Sequence, residues 1–288
     1  MATPRFAWKS LLFVPADNDK LLLKAPGSAA HAIILDLEDG VGGAQKASAR
    51  ANIAGAISTL KAAGKGVVVR VNSDQPDFLE DLHHAPLWLA DAVMLPKTET
   101  GAQLNSVAEM LLECAGAAGY DGPQPGLIAL IESASGMADL QVIARHPALI
   151  GAALGTEDYC LDFGVEPTPD MLRMPCGMLA LQARANGLMA IATPYSIADF
   201  SDLDQYKEAC QLARRLGCTG ALCIHPKQVE RVNSVFRPSE AELENAKAIV
   251  QAWEAAQAEG RAVLSLGGRM IDQPVAMSAY QVLKQAEE

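Results

Sequence analysis

The sequence predicts an α/β chain folded as a (β/α)8 (TIM) barrel with a C-terminal helical and flap extension, and three observations predict it. Short apolar runs, often β-branched, recur eight times before position 225. Alanine-rich stretches of helical periodicity separate them at intervals of about 30 residues, the length of one strand–helix–strand unit. Several runs stop at a charged or polar group, as expected where parallel strands end at one common mouth.

In order, the strand candidates are Leu11–Val14, Ala32–Leu37, Val67–Val71, Ala92–Leu95, Leu127–Ile131, Leu149–Leu154, Met189–Ala192 and Ala221–Ile224. Helical periodicity marks Gln45–Ala63, Gly101–Ala118, Ser135–Arg145, Leu172–Asn186 and Asp204–Leu216. An open doubly wound sheet shares this alternation. The glycine-rich fingerprint that such sheets often carry is absent, because Gly40-Val41-Gly42-Gly43 lacks its spacing. The barrel is assigned to residues 1–236 and the extension to residues 237–288. The extension opens on a capping box of Ser239 and Glu242, which starts a helix over Ser239–Glu259 with Gly260 as its stop. Gly267 and Gly268 then precede Asp272, which reads as a mobile flap followed by a short helix; a flap bearing an acid or base can close a site.

Composition bounds the function. Hydrophobic residues make up 50% of the 288 positions and charged residues 20%, a globular balance with ample material for one core. A net charge of −11 without a basic block argues against nucleic-acid binding and leaves room for a small anionic ligand held by local cations. The six cysteines show no CxxC pair or zinc-type spacing and read as reduced, structural thiols. Residues Met1–Ser10 lack the pattern of a secretory signal, and no uncharged run reaches bilayer-spanning length, so a cytoplasmic protein with no membrane partner is expected.

The groups at the strand ends carry the chemistry. Asp36-Leu37-Glu38-Asp39 follows strand two, Arg70 ends the valine-rich strand three, Glu132 ends strand five, and Gly155-Thr156-Glu157-Asp158 follows strand six. Brought to one mouth, carboxylates and an arginine suggest a metal-assisted enzyme acting on an anionic substrate. Each has a plainer reading: Glu132 and Asp158 as acids at helix N-termini, Arg70 as a cation snorkelling over the rim, Asp272 as a turn residue. His225 precedes Pro226 and reads equally as a hydrogen-bonded structural histidine or a catalytic one.

These segments, together with Ser10-Leu11-Leu12-Phe13-Val14-Pro15, Arg70-Val71-Asn72, Leu95-Pro96-Lys97, Ile131-Glu132-Ser133, Ile224-His225-Pro226 and Gly268-Arg269-Met270-Ile271-Asp272, resemble the citrate lyase beta-subunit family, within the HpcH/HpaI-type aldolases that include malyl-CoA and citramalyl-CoA lyases. The resemblance spans nearly the whole chain. Lys9 stands where the family carries arginine, Ala16 where it carries glycine, and Gly40 where alanine is usual; Lys9 keeps charge but not a bidentate fork, and it is left out of the site.

The resemblance implies a Mg2+-dependent lyase that cleaves a carboxylated 3-hydroxyacyl-CoA of the citramalyl-CoA, malyl-CoA or citryl-CoA type to acetyl-CoA and a 2-oxo acid. It implies Glu132 and Asp158 as the metal ligands, with Glu132 also in contact with substrate. It further implies Arg70 as a substrate-binding and catalytic residue, Asp272 as the proton-exchanging group, and Glu38 or Asp39 as an orienting acid behind them. Lys97 then contacts a carboxylate or lies at the rim, rather than forming a Schiff base. Alternatives are a thioesterase or malate-synthase-like activity, and a beta subunit acting on acyl-carrier-protein thioesters within a lyase complex. A homo-oligomer, trimeric or a multiple of trimers, is implied, with the flap covering a neighbour's site.

Overall fold

The computed structural model describes residues 6–287. Eight parallel strands form the barrel: β1 Ser10–Pro15, β2 Ala32–Asp36, β3 Gly66–Arg70, β4 Ala92–Leu95, β5 Gly126–Ile131, β6 Leu149–Leu154, β7 Met189–Ile191 and β8 Ala221–Cys223. They pair in the order β7-β6-β5-β4-β3-β2-β1-β8. The ring closes between β7 and β8 through a parallel bridge of Ile191 with Gly220 and the bonds Thr219 N–H to Ala190 O (2.8 Å) and Ala192 N–H to Gly220 O (3.0 Å). All eight expected strands are present, each shifted by no more than a residue or two at its ends.

Around the ring lie α1 Asp19–Lys24, α2 Lys46–Ala62, α3 Asp77–His84, α4 Gly101–Ala117, α5 Ala134–Ala138, α6 Leu140–Ile143, α7 Thr156–Phe163, α8 Pro169–Asn186, α9 Leu203–Leu216 and α10 Pro226–Val235. Local chemistry sets several of their ends. Thr100 and Gln103 form a capping box on α4, Thr168 caps α8 with Pro169 at its first position, and Asp202 caps α9. The left-handed glycines Gly164, Gly187 and Gly217 end α7, α8 and α9. The single helix expected over Ser135–Arg145 is instead α5 and α6, broken at Asp139, whose backbone leaves the helical region.

Two apolar layers result. Leu11, Ile34, Val68, Met94, Ile128, Leu130, Met189, Ile191 and Leu222 fill the barrel interior, with the stacked pair Phe6 and Trp8 packed against it, along with Phe13 and Ile197. The larger layer lies between strands and helices and includes Ile33, Leu35, Ile53, Leu104 and Leu179. No helix among the described residues is long and apolar enough to cross a membrane.

The chain divides into two compact units at Phe236/Arg237. The second contains α11 Glu240–Ala258, β9 Leu264–Leu266, β10 Arg269–Ile271 and α12 Gln273–Glu287. Ser239 and Glu242 cap α11 as expected. The segment read as a mobile flap is an antiparallel hairpin: Gly267 and Gly268, at φ +56° and +77°, form its two-residue turn, and Ile271, Leu264 and Leu266 pack with Ile249 and Ala279. Paired left-handed residues suit the twist of a tight hairpin, so the glycines make a turn here and not a loose loop.

The closing seam is tight. A side chain at Gly220 would run into the backbone of Trp8 and Lys9. Gly220→Ala should therefore lower the unfolding free energy by about 1–3 kcal/mol, read from the urea midpoint; an unshifted midpoint would show that the seam has room.

Candidate active site

Strand alternation delivers the charged groups. Ala32 and Ile34 of β2, Val68 of β3, and Ile128 and Leu130 of β5 face the barrel interior. Two residues further on, the same faces present Asp36, Arg70 and Glu132 at the C-terminal mouth. Asp36 and Arg70 are also register partners across β2 and β3, so their side chains start side by side.

Arg70 is 8% exposed and engaged by three acids. Its Nε and Nη2 donate to the two oxygens of Asp36 at 2.8 and 2.7 Å, a bidentate fork. Nη1 donates to Asp39 at 3.3 Å and lies 3.0 Å from Glu38 Oε2, outside hydrogen-bond geometry, leaving that buried oxygen without a bonded partner. The guanidinium carbon sits 4.8 Å from the centre of the Phe13 ring. Burial opposes the charge on Arg70, yet Asp36, Glu38 and Asp39 together hold its pKa above the ordinary arginine value. Asp36 also accepts from the N–H groups of Glu38 and Gly40, both at 3.0 Å, so one carboxylate folds its own loop and aims the arginine.

Glu132 is 6% exposed. Its Oε2 accepts the backbone N–H of Lys97 at 2.8 Å. A side chain at Gly155 would collide with this carboxylate, so the glycine makes its place. Burial raises the Glu132 carboxyl to about 8; the Lys97 N–H opposes the rise, Glu38 and Asp158 add to it, and Arg70 opposes it. Asp158, in the first turn of α7, is half-buried and has no hydrogen-bond or ion-pair partner among the described residues.

Lys97 has φ +47°, a left-handed conformation unusual for a lysine. Its Nζ donates to Ser73 Oγ at 3.3 Å and lies 3.7 Å from Glu38 Oε1, which also accepts from Ser73 at 3.0 Å. Burial disfavours its charge, but Glu38, Asp39, Asp74 and Asp158 outweigh this and raise its pKa, which removes the neutral amine a Schiff-base lysine needs. Beneath the mouth, Lys46 Nζ donates to Leu37 O, Glu38 O and Asn72 Oδ1, and Asn72 donates twice to buried Asp81, itself paired with Arg50. This network ties the loops after β2 and β3 to α2 and α3.

Of the residues expected in the site, Arg70, Glu38, Asp39, Glu132 and Asp158 meet at this mouth, and electrostatic coupling links Glu132 to Glu38, Asp158 and Arg70. Asp272 belongs to the second unit, where its Oδ1 accepts the N–H of Val275 at the start of α12. His225 caps α10, its Nδ1 accepting the Lys227 N–H at 3.1 Å, and stacks on Phe200. Sequence reasoning missed Asp36 as the arginine's main partner, although its spacing from Ala32 and Ile34 signalled an inward carboxylate. It also missed Ser73 and the backbone role of Lys97, for which side-chain patterns give no signal. All six cysteines are free thiols.

The donor set suits a divalent, oxygen-preferring ion. Glu132 Oε1 and both oxygens of Asp158 have no protein partner among the described residues, and burial beside other acids leaves Glu132 short of positive charge. No group of three or more Cys, His, Asp or Glu able to hold a metal is found among the described residues, and an ion on two carboxylates alone would keep positions for water and substrate oxygens.

A parallel barrel with a buried arginine and an open carboxylate pair at its C-terminal mouth is the class of protein this fold and site define. The model of the HpcH/HpaI aldolase/citrate lyase family matches residues 9–226, and the chain belongs to that family. It is 34% identical over 290 residues to a (3S)-malyl-CoA thioesterase of Cereibacter sphaeroides, covering 100% of this chain and 97% of the relative. It is 33% identical over 282 residues to citrate lyase subunit beta of Leuconostoc mesenteroides subsp. cremoris, covering 96% and 93%. The crystal structure of CitE from Mycobacterium tuberculosis in complex with magnesium, acetoacetate and coenzyme A superposes with a TM-score of 0.77 at 30% identity, covering 100% of this chain and 99% of that one.

The raised Glu132 carboxyl gives a pH test. Its folded-state value of about 8 exceeds the reference 4.5, so this group withdraws stability as pH rises from the unfolded value through about 8. A cation on the ionised pair restores it. Mg2+ should raise the melting temperature more at about pH 9 than at about pH 6, and Glu132→Gln should abolish the pH dependence of that gain. Equal gains at both pH values in the parent protein would remove Glu132 from the metal site.

Proposed function

We propose that this chain is a Mg2+-dependent carbon–carbon lyase that splits a carboxylated 3-hydroxyacyl-CoA into acetyl-CoA and a 2-oxo acid, with citramalyl-CoA, malyl-CoA and citryl-CoA as the candidate substrates. One observation carries the reading: the open pair Glu132 and Asp158 shares a mouth with an arginine fixed by Asp36. Mg2+ found with the CitE relative fits that pair. When bound, the ion supplies Lewis acidity toward the substrate's hydroxyl and carboxylate oxygens.

The chain's own residues account for the rest. With its Nε and one Nη2 proton fixed on Asp36 and one Nη1 proton directed to Asp39, Arg70 has one Nη2 and one Nη1 proton left for an oxygen that gains charge as the bond breaks. Cleavage removes the hydroxyl proton, sends the carbon–carbon bonding pair into a thioester enolate and leaves a 2-oxo acid. The enolate carbon then takes a proton. Asp272 is the proposed donor, reaching the site from the second unit of a neighbouring subunit, which requires an oligomer such as a trimer.

The relative named (3S)-malyl-CoA thioesterase supports a second reading, in which the same groups assist attack of water on the thioester carbonyl and free CoA leaves. Following 2-oxo acid, acetyl-CoA and free thiol together separates the two. With Mg2+ and citramalyl-CoA or malyl-CoA, 2-oxo acid and acetyl-CoA should form in equal amounts with little thiol. Thiol without 2-oxo acid would establish the hydrolase instead, and inertness toward both CoA esters would overturn both readings for these substrates and direct the search to acyl-carrier-protein thioesters. Asp158→Ala should abolish metal-dependent turnover. Arg70→Lys should lower kcat about 100-fold or more, because lysine cannot form the fork. Asp272→Ala should lower lyase turnover while leaving Mg2+ affinity intact, measured by calorimetry; unchanged turnover would remove Asp272 from the reaction.

A further inference from the structure

Lys97 bridges the two halves of the mouth. Its backbone N–H holds Glu132 Oε2 at 2.8 Å, while its ammonium lies beside Ser73 and Glu38, the acid that faces Arg70.

The other cations of this region are held more closely by protein groups. Arg70 is forked on Asp36 and faces Glu38 and Asp39 as well. Lys46 Nζ is enclosed by Leu37 O, Glu38 O and Asn72 Oδ1. Lys97 is different: its side chain is 48% exposed, its contact with Ser73 is long at 3.3 Å, and its carboxylate neighbour is 3.7 Å away. Its backbone is held in place, by the Glu132 bond and by Gln103 Nε2 donating to its carbonyl at 3.2 Å. The result is a fixed backbone carrying a half-exposed ammonium, held only by long contacts to Ser73 and Glu38, in a mouth crowded with acids.

We propose that Lys97 binds the substrate carboxylate attached to the carbinol carbon, its ammonium leaving Ser73 and Glu38 for that group while its backbone N–H keeps Glu132 in place. The inference rests on the lyase reading and adds to it the residue that receives the 2-oxo acid half of the substrate. Two functions separate within one residue, so substitutions can address them singly. Lys97→Gly keeps the N–H and relieves the left-handed φ; Lys97→Met removes charge at similar length; Lys97→Arg retains a cation.

The test is calorimetric binding of Mg2+ alone, then of pyruvate, glyoxylate and oxaloacetate in its presence, to the full chain and the three variants. Lys97→Met and Lys97→Gly should each weaken 2-oxo acid binding about tenfold or more, and Lys97→Arg should recover most of the loss. Mg2+ affinity should stay within about threefold throughout, and melting curves verify folding. Parent-like 2-oxo acid affinity in Lys97→Met and Lys97→Gly would overturn the inference and leave the lyase reading standing. Loss of Mg2+ affinity without rescue by Lys97→Arg would also overturn it, reducing Lys97 to a support for Glu132. No Mg2+-dependent binding of any 2-oxo acid by the parent protein would overturn both.

Discussion

The buried fork between Asp36 and Arg70 is the constraint on which the site depends. Taking a guanidinium and a carboxylate out of water costs several kcal/mol per ion, returned only when geometry is good and remaining polar atoms are bonded. Both conditions hold here: two short parallel bonds join the pair, and the same Asp36 oxygens accept the N–H groups of Glu38 and Gly40. Adjacent parallel strands in register make this cheap to build, because side chains of partnered residues leave the sheet on one side. Removing Asp36 would free the arginine and unmoor the loop that carries Glu38 and Asp39.

From that fixed cation follows the electrostatic character of the mouth. Asp36, Glu38, Asp39, Glu132 and Asp158 gather around Arg70 and Lys97, and negative charge is in excess. Burial first, and then the neighbouring acids Glu38 and Asp158, raise the carboxyl of Glu132, which is paired with no cation among the described residues, to about 8. Glu38 is also raised by burial but is partly compensated by Arg70, Ser73 and Lys97. The proposed divalent ion at Glu132 and Asp158 would supply positive charge there, and hard oxygen donors with open positions favour an ion that keeps water and substrate oxygens.

Much of this was legible in the sequence. Eight apolar runs give the strand count, and the charged groups that end them place Arg70 and Glu132 at the mouth. Alternation counted on from Ala32 and Ile34 carries Asp36 to the same face, a signal masked by the acidic pair Glu38 and Asp39 that ends the run. Less was legible where backbone does the work. The Lys97 N–H on Glu132, the break at Asp139 and the space left by Gly155 depend on φ, ψ and close approach, to which side-chain periodicity is blind. The Gly267-Gly268 hairpin was available from turn chemistry and was obscured by reading paired glycines as looseness.

A lysine follows Leu95-Pro96 at a left-handed position where glycine would cost less. A non-glycine residue in that region carries a penalty of about 1–2 kcal/mol, and such strain persists only where surrounding bonds over-determine it. Here the Lys97 N–H on Glu132, the Gln103 bond to its carbonyl and the Thr98 N–H on Leu130 O supply that restraint. Glycine would satisfy all three, so backbone geometry alone does not select lysine. What remains is the ammonium, close to Glu38 and Ser73 and within electrostatic reach of Asp158. The proposed anion contact gives the ammonium a use that glycine could not supply, while the backbone N–H of the same residue holds Glu132.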